Sequence, residues 1–119
     1  VSTSARTPAG WTPADASTQP APLLSMDRLV EAIAAYLCRH RSVGLLRLTL
    51  DLTRRRLDLF AEVGAVEVVK GVVAPPAPGT ETWWRAVAAV REAVYALRER
   101  GLVQYVWEAE VVNWTGPPC

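Results

Sequence analysis

The chain has 119 residues, 50% of them apolar and 21% charged, and 13 basic against 12 acidic side chains leave a formal charge of +1. This is the make-up of one ordinary folded domain. It excludes a nucleic-acid binder that works through a broad basic face, so any such role has to be local.

Residues 1–24 are rich in Ser, Thr, Ala and Pro, with only Arg6 and Asp15 charged. Such a segment buries too little to offset its ordering entropy and reads as an extended tail. Trp11 stands out in it, as an anchor for this domain or a partner, or as an idle residue. The chain opens on Val1 and its sole methionine is Met26, which implies a trimmed N-terminus or a piece of a longer protein. There is no secretory signal pattern, and no apolar run nears the roughly 18–20 residues of a membrane span.

A first helix is expected over 26–41, with Ser25 as N-cap and Leu29, Val30, Ile33, Leu37 and Tyr36 on one face. Arg39, His40 and Arg41 crowd its last turn, where positive charge complements the helix dipole. His40 has no partner at metal-ligand spacing. With only Cys38 and Cys119 there is no disulfide scaffold. The two cysteines are expected to stay reduced, in a reducing compartment, with a single Cys38–Cys119 bridge as the alternative.

The stretch LRLTLDLTRRRLDLFAEV alternates apolar and polar residues around three arginines. Pairing Leu52 with Leu57, Leu50 with Leu59, Leu48 with Ala61 and Leu46 with Val63 puts every apolar pair on one face. A hairpin is expected, although its turn lacks Gly, Asn and Pro. A rival helix would run from Asp51 to Gly64 with Leu52, Leu59, Phe60 and Val63 inward. In the hairpin, Arg54, Arg55 and Arg56 form a solvated tip or, alternatively, an anion or nucleic-acid contact.

AVEVVKGVV, from Ala65 to Val73, reads as a third strand with Gly71 marking a bulge, followed by a proline-rich loop over 74–80. A second helix is capped by Thr80 or Thr82 and stopped by Gly101, with Trp83, Val87, Val90, Val94 and Leu97 as its buried stripe. The neighbouring stripe carries Trp84, Arg91, Tyr95 and Arg98, the composition of an interaction hot spot. The same side chains could stack on bases, or cover the sheet edge with arginine stems alongside. LVQYVWEAEVVNW, from Leu102 to Trp114, reads as one long strand, partly apolar on both faces, which suits either a central strand or an end that pairs outside the domain, with Trp114 as a partner contact.

The run AVREAVYALRERGLVQYV resembles the recognition helix and first wing strand of winged-helix DNA-binding domains. The resemblance covers about eighteen residues and implies a DNA contact through Arg91, Tyr95 and Arg98. The chain departs from that pattern in having no break over Thr80 to Arg100 and no Gly- or Pro-marked wing turn between Leu102 and Trp114.

The expected fold is therefore α+β, in the order α-β-β-β-α-β. About four antiparallel or mixed strands carry two helices on one face, with the domain spanning 25–114 and a tail over 115–119. The expected function is a non-catalytic protein-interaction module, a small subunit of a larger assembly or homo-oligomer. Its docking residues are Trp84, Arg91, Tyr95, Arg98, Trp114 and Trp11. The alternative is a small nucleic-acid-binding protein using Arg54, Arg55 and Arg56 with the Trp84 stripe. No cofactor, metal or small-molecule substrate is expected, since Cys38, His40, Glu62 and Glu67 have no organising motif.

Overall fold

The computed structural model describes residues 20–119, with side chains from Met26 onward. The fold is α+β: four helices with a three-stranded and a two-stranded antiparallel sheet. Trp11 and the rest of residues 1–19 lie outside the described residues.

Helix α1 spans Pro20–His40, beginning earlier than the expected residue 26. Leu29, Val30, Ile33, Tyr36 and Leu37 are all buried, the face their spacing predicts. Arg41 ends the helix in the left-handed region at φ 71°, its amide donating to the Leu37 carbonyl at 2.7 Å. Strand β1, Ser42–Gly44, leads directly into α2, Leu45–Arg55. After a break at Arg56, helix α3 covers Leu57–Glu62.

The expected leucine hairpin is thus two helices. Leu45, Leu48, Thr49, Leu52 and Thr53 recur at steps of three and four residues and are all buried, whereas Leu46 is 42% exposed. Thr49 helps the stretch look alternating, and Thr53 reads as part of its turn. In the helix they are buried because their hydroxyls donate back to the chain, Thr49 to the Leu45 carbonyl at 2.9 Å and Thr53 to that of Leu50 at 3.0 Å. Leu59 and Phe60 are fully buried, as the rival helical reading required. Gly64, at φ 74°, closes α3, and the Ala65 amide donates to the Phe60 carbonyl at 2.8 Å.

Two further strands divide where one was expected. Residues 65–73 form not a single strand but part of a hairpin: β2, Glu67–Val69, pairs with β3, Val72–Ala74. Lys70 and Gly71 form its turn, at φ 51° and 75°. Positive φ at both central positions is what a two-residue hairpin turn demands, so Gly71 makes the turn rather than a bulge.

Helix α4, Glu81–Glu99, matches expectation closely. The Thr80 hydroxyl accepts from the Trp83 amide at 3.2 Å, and Gly101 follows the helix at φ 76°. Trp83, Val87, Val90, Val94 and Leu97 are buried against α1 and α2. Beyond it, β4, Val103–Val106, and β5, Val111–Trp114, are separated by a turn over 107–110, with Glu110 at φ 52°. The long last strand is therefore a ribbon, its turn marked by neither glycine nor proline. β1 adds to β5, giving the order β1-β5-β4 with Val43 opposite Val112 and Tyr105 opposite Val112 on its other side.

The cysteines, expected to be reduced, are joined as a Cys38–Cys119 disulfide with Cα atoms 5.7 Å apart. It ties the last turns of α1 to the C-terminal segment. Spacing could not disclose this, because the bridge joins residues 81 positions apart.

Candidate interaction surface

Turning α4 by 100° per residue brings Trp84, Arg91, Tyr95 and Arg98 within one narrow sector, beside the buried stripe. Trp84 is 53% exposed, Arg98 is exposed, and Arg91 and Tyr95 are half-buried. The ribbon adds Trp107, which was missed as a site residue and is 54% exposed. The centroids of the Tyr95 and Trp107 rings lie 5.6 Å apart, and both close on Tyr105, at 6.2 and 4.8 Å. These spacings are those of tilted and edge-on aromatic pairs. Tyr105 itself is buried and braces the other two from beneath.

The face carries charges of both signs. Arg85 pairs with Glu81 at 3.4 Å, while Glu92, Glu99, Glu108 and Glu110 are exposed on α4 and at the ribbon turn. Tyr95 and Trp107 thus form an aromatic surface braced by Tyr105, set among charges of both signs. Phosphate recognition would need a clear cationic excess.

Trp114 is used locally. It is half-buried, its indole Nε1 donates to the Pro117 carbonyl at 2.9 Å, and a Cβ on Gly116 would fall 2.7 Å from its ring. Its backbone amide donates to the Arg41 carbonyl at 2.6 Å. Arg54, Arg55 and Arg56 lie at the end of α2, all exposed. Arg56 forks onto Asp58 at 3.2 Å through both Nε and Nη2. Asp58 also faces Arg28, which pairs with Glu62. The Asp58 hydrogen bonds, with the charges of Asp58 and Glu62, hold Arg56 above its usual value, and Arg56 in turn holds Asp58 below its own.

A second apolar surface was not foreseen. Val68, Val69, Val72 and Val73 on the β2–β3 hairpin are 67, 57, 65 and 44% exposed. The two valine pairs that flank Lys70-Gly71 in VVKGVV are its signature in the sequence. Among the described residues, no group of His, Cys, Asp and Glu could hold a metal ion, and no helix is long and apolar enough to cross a membrane. Comparison with protein-family models, curated proteins and solved structures finds no match.

Proposed function

We propose that this domain is a non-catalytic protein-interaction module, a small subunit of a larger assembly, which docks through Trp84, Arg91, Tyr95 and Trp107. The observation that supports this most is the exposure of two tryptophans on one side of the domain, Trp84 on α4 and Trp107 packed on the rings of Tyr95 and Tyr105. An exposed indole packed on neighbouring rings, as that of Trp107 is, costs little further ordering when a partner covers it. Arg91 and Arg98 supply directional donors at the edge of the patch. The valine hairpin offers a second contact, its outer strand edges unpaired among the described residues and able to extend a partner's sheet.

Gentle capture from an extract of the source cells, followed by mass spectrometry, tests this. One stoichiometric protein retained by the wild type at high salt, and lost from a Trp84→Ala/Trp107→Ala variant, is the expected result. Retention by both proteins alike removes the α4 face from consideration.

A nucleic-acid role is the second reading. What favours it is the succession of α4 and the β4–β5 ribbon, a helix leading into a wing as the winged-helix resemblance implies. Glu108 and Glu110 at the ribbon turn would repel phosphate. Affinity for duplex DNA that falls by powers of ten between about 50 and 200 mM salt would favour this reading over the first.

A further inference from the structure

The last turns of α1 and α2 converge on a cleft of about 220 Å³. Arg39 and His40 reach it from α1, and Arg55 and Arg56 from the end of α2. Ala32, Ala35 and Leu52 give it an apolar floor. We infer that this cleft binds a phosphate-class oxyanion carried on a small molecule, gripped by the guanidinium groups of Arg39 and Arg55.

Charge supports the choice of ligand. Among the described residues, no carboxylate lies within 4.0 Å of Arg39, Arg55 or His40. The nearby acids are bonded elsewhere, Asp51 to the Tyr36 hydroxyl and Arg47, and Asp58 to Arg56 and Arg28, so that Asp51 acts on Arg55 only from beyond 4.0 Å. Each helix C-terminus contributes about half a negative charge. Two ends therefore offset only one of the two free guanidinium charges, and the cleft stays positive.

The cleft is also held in shape. The Tyr36 ring is fixed by its hydrogen bond to Asp51 at 2.6 Å and by the His40 ring stacked on it at 4.0 Å. Nδ1 of His40 in turn donates to the Tyr36 carbonyl at 2.9 Å. Arg55 lies over the same ring, 5.7 Å from its centroid, so its fork is positioned before any ligand arrives. Size limits the occupant, since pockets for whole drug-sized molecules span about 300–1,000 Å³. The cleft takes an anionic head group and leaves the remainder of the ligand in solvent. Bidentate guanidinium contacts suit tetrahedral oxyanions. The site involves neither the α4 face nor Trp107 and stands whether or not those residues dock a protein.

The test is titration of the ¹⁵N-labelled full chain with inorganic pyrophosphate. Saturable shifts confined to residues 35–40 and 52–56 are expected. Affinity should drop at least tenfold in Arg39→Gln/Arg55→Gln, and in Arg39→Gln alone, whose side chain is exposed. Arg85→Gln/Arg98→Gln should bind as the wild type does. Vesicles containing phosphatidic acid provide a second arm, and free pyrophosphate should compete with any vesicle binding. The inference is overturned by a lack of saturation in the millimolar range, or by equal binding to the Arg39 and Arg55 variants. Vesicle binding that pyrophosphate does not displace, or duplex DNA binding without a pyrophosphate response, overturns it as well.

Discussion

The hydroxyl of Tyr36 donates a 2.6 Å hydrogen bond to the carboxylate of Asp51, fastening α1 to α2. That bond holds the Asp51 carboxyl below its ordinary value of 3.8, with the cations of Arg47 and Arg55 assisting against partial burial. On the other side, burial and then the Asp51 bond push the Tyr36 phenol up to about 12. Because the folded value of Asp51 is depressed, its contribution is complete above 3.8 and drains away as pH falls through the lower folded value. That of Tyr36 is complete below 10 and is lost as pH rises towards 12.

Tyr36→Phe should therefore cost about 1 kcal/mol at neutral pH, the net worth of one partly buried hydrogen bond. Urea unfolding at neutral pH and at about pH 2 measures this, and the difference between variant and wild type should shrink in acid once Asp51 is protonated.

Leu46 and Leu48 separate the helix from the hairpin. Both would share the buried face of a strand, but in α2 Leu48 is fully buried while Leu46 is 42% exposed. Leu48→Ala should cost about 2–5 kcal/mol by denaturant unfolding, and Leu46→Ala about 0.5 kcal/mol or less.

The Cys38–Cys119 bridge closes a long loop. Removing such a cross-link typically costs about 2–4 kcal/mol, chiefly by releasing the unfolded chain. A reductant, or Cys38→Ser, should thus lower the melting temperature, while an alkylation assay on the non-reduced protein should find no free thiol.

Much of this architecture was legible, and the misses have physical causes. α4 could be read end to end because its stripe, the Thr80 cap and the Gly101 stop agree. In α2, four leucines two apart fit a strand, while Leu45, Leu48 and Leu52 with the two threonines fit a helix. Only the fate of the Thr49 and Thr53 hydroxyls decides between them, and composition does not reveal it. The turn over 107–110 has neither glycine nor proline, so nothing marked it, and Glu110 bears its left-handed conformation. That hidden turn also concealed Trp107. Once the strand bends back, Trp107 lies exposed beside Tyr95 instead of within a central strand.

The role of the α4 face rests on Trp84 and Trp107 being surface anchors rather than core. The direct measurement is thermal unfolding of Trp84→Ala/Trp107→Ala alongside its affinity for the protein that the wild type captures. An unfolding curve close to wild type, with affinity reduced at least tenfold, is the predicted outcome. A large drop in melting temperature with affinity unchanged would assign both indoles to the core and contradict the docking role.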